Sequence, residues 1–437
     1  MTQFLSLLTF LAPAFAHAGV EWPQFRGPNG DGHAAAERVP VQWSDSEHIQ
    51  WKAAVPGRGW SSPVLGDGVV WLTTAVEQPA DENQIAIARF KNALNPMVKE
   101  LKFLGAIQLR AIAVDANTGN VRHDVLLFDV KQPQPAHSLN SYASPSPILD
   151  GQRLYCHFGT FGTACVDTAS ASVVWKTQLP NDHSVGPGSS PTLHDGLLIV
   201  PCDGADSQSV VALDVHNGEK VWTTKRPKMK GFVGDLHKAF STPLVIQHEG
   251  TWQAIAVGAQ WAVAYDPRTG DEIWKLRYGD GFSNAPRPIV GHGLVYICTG
   301  YTQQGLWAIK LGGTGELSDS HIAWKMTKQT PGMVSPILVD DLLFAVTDQG
   351  VLTCLDAKTG QTVWQHRLGG NFSASPIYAD GKLYFCNRDG RTTVVKPGRE
   401  YQEIAVNDID GQLMASPVAV DGALVLRTAT HLYRIGK

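Results

Sequence analysis

The chain has 437 residues, more than a single ordinary core holds, so either several domains or a repeat architecture is expected. Its 36 Lys+Arg against 40 Asp+Glu give a net charge of -4 with no basic run and no acidic tail, which argues against a nucleic-acid partner.

In chain order, residues 1–18 read as a cleavable export signal: the apolar run "FLSLLTFLAPAFA" ends at Ala16-His17-Ala18, an A-x-A cleavage pattern. No Cys follows it, so lipid attachment is not indicated, and no later stretch reaches the ~18 continuous apolar residues of a membrane span. The expected product is a periplasmic or secreted chain without a membrane span. Residues 19–44 form an extension containing "WPQFRGPNGDG", whose single carboxylate in "PNGDG" lacks the alternating Asp pattern of a calcium loop and reads as a turn cluster. "HIQWKAAV" from His48 to Val55 reads as an apolar strand ending a pattern that has no beginning nearby.

From there a small residue before proline recurs at Ser62-Pro63, Ser146-Pro147, Ser190-Pro191, Thr242-Pro243, Arg287-Pro288, Ser335-Pro336, Ser375-Pro376 and Ser416-Pro417. After a first interval of 84 residues the spacing is 40 to 52, the period of propeller blades. Each unit runs X-Pro, short strand, Asp-Gly-like turn, second strand, third strand ending in Asp, a Thr-Gly turn, and a fourth strand ending in Trp. Four short strands with turn signals between them make a blade. The proline belongs on an edge strand, which places eight of them around a central channel. The turn phrase "LDAKTGQTVW" at 355–364 returns at 213–222 and 265–274. Its Asp caps the backbone two residues on and its Gly takes positive φ. Trp175, Trp222, Trp274, Trp324 and Trp364 are expected to pack between blades.

The long first interval holds residues 81–104, whose apolar side chains recur at helical spacing (Ile87, Phe90, Leu94, Met97, Val98, Leu101, Leu104), with Asn95-Pro96 as a break and new start. A helical insertion on the channel-mouth face, acting as lid or docking element or merely packed there, is the expectation. The last unit has only three strands, and His48–Val55 supplies its fourth. The fold predicted for 45–437 is therefore all-β: an eight-bladed propeller of four-stranded blades, closed by an N-terminal strand, as a monomer.

Six cysteines do not form a framework. Cys156, Cys298 and Cys386 each follow a repeat glycine by five residues, one equivalent strand position in separate blades, too far apart to bridge. No C-x-x-C-H and no zinc-type spacing occurs, so no metal site is predicted.

The loops entering the innermost strands and those joining strands two and three share one face, where concave sites form. They bring His137, Asn140, Tyr142, His157, His183, Asp203, Asp235, His237, Lys238, Asn284, Arg287, Asp348 and Arg388 toward one funnel. Arg287 replaces the Ser or Thr before proline and suits a carboxylate or phosphate, or an ion pair with Asp235 or Asp348. The histidines and Asp203 suit acid–base work, but their spacing is not diagnostic. Asp203 with Asp235 would be the carboxylate pair of a glycoside-cleaving site.

The phrases "DANTGNV", "DVHNGEKVW", "DPRTGDEIW" and "DAKTGQTVW" resemble the tryptophan-docking motif of the PQQ-like β-propeller repeat family, and "WPQFRGPNGDG" is similar to the opening of exported members. The resemblance covers essentially the whole mature chain. That family spans quinoprotein alcohol dehydrogenases and the periplasmic outer-membrane-protein assembly propeller, so it implies the fold more sharply than the function. The vicinal Cys pair, haem domain and calcium motif of the dehydrogenases have no counterpart here, and neither does the lipid-attachment Cys of the assembly subunit. The first expectation is a binding scaffold that presents a polar funnel to an envelope protein partner or small polar ligand. A quinone-dependent dehydrogenase of alcohols or sugars, using pyrroloquinoline quinone and calcium, stands as the alternative without a specific motif.

Overall fold

The Asp-x-x-Thr-Gly turn is a latch between blades. Its Asp side chain accepts from the backbone two or three residues on: Asp115 Oδ1 takes the N–H groups of Asn117 (2.9 Å) and Thr118 (2.7 Å), and Asp214 Oδ1 takes that of His216 (2.7 Å). The glycine then adopts positive φ, 74° at Gly119 and at Gly218. Over that glycine lies the Trp of the preceding blade. Its indole N–H donates to the carbonyl just after the Asp: Trp51 to Ala116 (2.9 Å), Trp175 to Val215 (2.8 Å), Trp222 to Pro267 (3.1 Å) and Trp324 to Ala357 (2.9 Å). A Cβ on Gly218 would stand 2.4 Å from Trp175 Cε3, and one on Gly360 2.5 Å from Trp324 Cδ2. The glycine is therefore required twice, by its φ and by the ring above it.

Two of the Trp residues face a blade without the phrase: Trp364 still donates across the boundary, to Gly398 O of Lys396–Glu400 (3.0 Å), and Trp274 does not. The next blade carries Leu311-Gly312-Gly313-Thr314 where the turn phrase should be, and Trp274 donates instead to Gln253 Oε1 of its own blade (2.9 Å). The short segment Gly315–Glu316 fills the gap by pairing in parallel with Glu272–Arg277.

Gly218→Ala is expected to destabilise by about 2–4 kcal/mol, combining left-handed strain with overpacking, against about 1 kcal/mol for Gly68→Ala. Gly68 also has positive φ (71°), but a Cβ there meets nothing within 4 Å. Equal shifts in denaturant midpoint for the two variants would remove the Trp contact as the reason for the glycine.

The computed structural model describes residues 21–95, 97–231 and 234–436; the expected export signal lies outside them. Eight four-stranded antiparallel sheets form the ring. The first blade holds Val64–Gly66, Val69–Pro79, Leu104–Asp115 and Val121–Lys131, the longest hairpins of the molecule. The last blade holds Val418–Val420, Ala423–Arg427 and His431–Gly436, completed by Ile49–Ala54, which pairs antiparallel with His431–Gly436 from Ile49↔Ile435 to Ala54↔His431. The N-terminal strand thus closes the ring, as expected. The core follows the ring as apolar clusters shared by neighbouring blades, and all six cysteines are free and buried within them.

The helical insertion is shorter than predicted. An α-helix spans Glu82–Lys91, with a capping box between Asp81 and Gln84. Beyond it Asn95 Oδ1 accepts the Met97 N–H (2.8 Å) in a local turn, and the strands take the rest. Leu101–Lys102 pairs with Ala136–His137, and Leu104 begins the third strand of the first blade. Apolar spacing alone could not separate a helix from a short edge strand entering a long hairpin.

Within the extension the sequence marks only "PNGDG" as local structure, a turn cluster. The extension threads the channel. Trp22 and Leu65 exchange backbone bonds, Leu149 N–H donates to Pro23 O (2.8 Å), and His33–Ala34 runs parallel to Ile377–Ala379. Further on, Gly422 N–H donates to Glu37 O and Trp43 N–H to Asn407 Oδ1. The inner edges left free by the prolines of the first and seventh blades are therefore partly covered by the chain's own N-terminal segment.

Candidate functional site

The small residue before each proline has a definite task. At seven of the eight blade boundaries the N–H of one such residue donates to the hydroxyl of the next: Ser62 to Ser146 (2.9 Å), Ser146 to Ser190 (2.9 Å), Ser190 to Thr242 (3.0 Å), Arg287 to Ser335 (2.9 Å), Ser335 to Ser375 (3.0 Å), Ser375 to Ser416 (2.9 Å) and Ser416 back to Ser62 (3.1 Å). Proline at the following position leaves the strand without a competing donor. The circle breaks between Thr242 and Arg287, which has no hydroxyl. There Ser241 Oγ donates to Pro286 O (2.7 Å), and the Arg287 side chain turns into the channel, Nε to Pro243 O (3.1 Å) and Nη1 to Phe25 O (2.8 Å).

Above this ring opens a cavity of about 470 Å³, floored by Phe25 of the threaded segment and walled by Trp60, Phe240, Phe282, Met333 and Met414. Leu139, Leu236 and Tyr301 stand at its mouth and remain exposed. The predicted funnel was polar; the lining is mostly apolar, because the polar side chains of the loops turn away to satisfy neighbouring backbone.

Four of the thirteen candidates line the cavity: His137, Asn140, Asp235 and Lys238. Asn140 is held by Val185 O and Pro187 O, and Lys238 Nζ pairs with Asp235 Oδ1 at 3.1 Å, with Ser184 Oγ donating to the same carboxylate. Burial lowers the pKa of both Lys238 and His137. The other nine sit elsewhere. Asp203 forms a two-pronged pair with Arg226 (3.0 and 2.7 Å), both side chains 1 % exposed. Asp348 accepts the Gly332 and Met333 N–H groups, and burial raises its pKa. Arg388 donates to Ser373 Oγ and Phe372 O, Asn284 to Cys298 O, and His237 Nε2 contacts Lys230 O. Tyr142 is fully buried under Lys102. Arg287 meets neither Asp235 nor Asp348 but fastens the threaded segment, where a Cβ on Gly30 would stand 2.2 Å from its Nη1. In sequence Ser62 and its equivalents read only as repeat markers, because their spacing is visible there and their shared orientation toward the cavity is not.

His157 and His183 lie in a separate pocket of about 20 Å³ between the second and third blades, beside Asn181 and Cys202. His157 Nδ1 contacts Thr163 Oγ1 (2.8 Å), and His183 Nε2 accepts the Thr160 N–H (2.8 Å). Desolvation lowers His157 to about 4 and, with the neighbouring His157, lowers His183 to about 3. Both are neutral in the fold while the unfolded chain takes up protons below ~6.5. Stability is therefore full above that value and falls as pH drops toward 4, by about 2 kcal/mol per histidine at pH 5. His183→Gln is expected to remove about half of that slope in urea melts between pH 7 and 5; an unchanged slope would contradict the assignment.

A family model described as outer membrane protein assembly factor BamB matches residues 108–323 and 306–403, more than half of the chain. Among curated proteins, BamB of Yersinia pestis is 22% identical over 281 residues, covering 52% of this chain and 68% of that protein. BamB of Burkholderia pseudomallei is 27% identical, covering 50% of this chain and 54% of that one. A tetrathionate hydrolase of Acidithiobacillus ferrooxidans is 23% identical, covering 55% and 49%. The alignments thus span about two thirds of the first relative and about half of the other two. Among solved structures, quinohemoprotein alcohol dehydrogenase of Comamonas testosteroni superposes with a TM-score of 0.62 at 11% identity, covering 95% of this chain and 80% of that one. BamB of Moraxella catarrhalis gives 0.52 at 12% identity, covering 77% and 100%. These likenesses carry the fold, and the matched family model carries the membership: the chain belongs to the PQQ-like β-propeller family described by the assembly factor BamB.

Proposed function

We propose that the protein is an exported binding propeller of the cell envelope, a scaffold for outer-membrane protein assembly that engages a protein partner through its funnel face. One observation carries this reading: apolar side chains stay exposed on that face, at Leu139, Leu236 and Tyr301 around the mouth and at Ile87, Phe90 and Leu94 on the insertion. The helix turns Gln84, Ile85, Ala88 and Asn92 inward, half-buried, and leaves Phe90 83 % exposed. An apolar stripe facing water on a secreted chain marks an interaction surface. The relatives named as outer membrane protein assembly factors supply the kind of partner.

The quinone alternative finds little support in the donor set. Calcium takes six to eight oxygens, carboxylates among them. Asp235 is the one carboxylate lining the cavity among the described residues; Lys238 and Ser184 hold its Oδ1, which leaves a single carboxylate oxygen, Oδ2, unpartnered. The residues present do not fit a calcium-quinone group. Asp203, the other half of the imagined carboxylate pair, is closed off by Arg226.

The test is complementation of a deletion strain. Wild-type chain should restore the level of folded outer-membrane β-barrel proteins, while Leu236→Asp with Phe90→Asp, equally soluble and exported, should not. Full restoration by that variant would reject the funnel face as the working surface.

A further inference from the structure

We propose that the cup is also a binding site for a small amphiphilic anion, with its acidic oxygens on the ring axis and its apolar body against the walls. This goes beyond the docking role, since it concerns the interior of the cavity and not its rim.

The head-group site follows from the hydroxyl ring. Six of its members, Ser62, Ser146, Ser190, Thr242, Ser375 and Ser416, line the cavity, and all are at least nine-tenths buried. Each hydroxyl oxygen already accepts a backbone N–H from the neighbouring blade. A hydroxyl has one proton to give, and none of the six gives it to an acceptor among the described residues. Six blades thus present unpaired O–H donors around one cup, at the deep end of a funnel that opens at the mouth. Such a crown has protons to offer, and it holds an acceptor that carries negative charge more strongly than a neutral one.

A second, independent feature has the same sign. Beneath the Phe25 floor lie Arg26 and Arg287, both 2 % exposed or less. Their hydrogen bonds end on backbone carbonyls: Ser335, Pro336 and Asp31 for Arg26, Pro243 and Phe25 for Arg287. Asp31 is the one carboxylate that acts on both. Two buried cations over a single anion leave a positive field under the crown, which water screens poorly there. The nearest charges in the wall, Asp235 and Lys238, are paired with each other.

The body of the ligand follows from the walls. Trp60, Phe240, Phe282, Met333 and Met414 offer no compensation to a polyol, and a volume of about 470 Å³ is that of a small-molecule site. A carboxylate, sulfonate or phosphate monoester on an apolar chain or ring satisfies floor and wall together.

The experiment uses the whole chain and anilinonaphthalene sulfonate as the probe, displaced by octanoate, octanol or octylammonium below their aggregation limits. Octanoate should displace the probe at least tenfold more effectively than octanol, and octylammonium should be the weakest. Equal potency of the three, or a lead for octanol or octylammonium, would overturn the proposal. Ala285→Phe places a ring in the cavity without touching the hydroxyl bonds, so it locates the site in a folded variant. A tenfold or greater loss of probe affinity is expected, and unchanged affinity would put the binding elsewhere and overturn the assignment.

Discussion

Arg226→Met is expected to destabilise the protein by about 3–5 kcal/mol. Arg226 holds both oxygens of Asp203, and its Nη1 donates to Ala256 O at 2.9 Å, tying the third blade to the fourth. With Arg226 gone, the Asp203 carboxylate would be buried unpaired, and the fold would have to protonate it or admit water. Replacing both partners, Asp203→Leu with Arg226→Met, should recover much of the loss, because a matched apolar pair needs no compensation. Thermal or urea unfolding of the two variants measures the difference. A double variant as unstable as the single one would mean that packing, not the orphaned charge, dominates.

The second large effect concerns closure. A chain lacking residues 45–56 should lose cooperative thermal unfolding altogether, since Ile49–Ala54 is the fourth strand of the last blade and Trp51 the latch onto the first. Its removal exposes the edge of His431–Gly436 and the inner surface of the first blade. Gly436 N–H already donates to His48 O at 2.8 Å. A permutant that begins at Pro56 and rejoins residues 45–55 after Gly436 by a short linker should therefore fold again, though without the threaded segment. Recovery separates closure from the threading of residues 21–44, and failure would make the threaded segment a requirement of the ring itself. Cooperative melting of the simple truncation would contradict the closure account.

The fold was legible because its determinants are local and repeated. Asp, Gly and Trp recur at fixed offsets, and each acts within its own turn or on the adjacent blade. The phrase is missing at two boundaries: at Leu311–Thr314 the Trp latch is lost, whereas at Lys396–Glu400 Trp364 still reaches Gly398 O. The site was less legible, for a physical reason. Loop side chains such as His183, Asp348 and Arg388 look available in sequence, yet each satisfies a backbone or side-chain group that no repeat alignment reveals. Arg287 did stand out, and rightly as an anomaly, but its partner is Phe25 O, 262 positions away. Pairing across such a distance depends on the extension entering the channel, and nothing in "WPQFRGPNGDG" announces that. The serines show the opposite failure: their recurrence was plain, and only the closed circle of hydrogen bonds explains it.

The account turns on the funnel face being the working surface. The most direct measurement is photo-crosslinking in the source cells, with a photoreactive side chain placed either at Leu236 on the mouth or at Lys358 on the opposite turn face. The account predicts a discrete adduct with an outer-membrane assembly protein from position 236 and none from 358. Adducts from 358 alone, or from neither position while the chain still supports assembly, would contradict it.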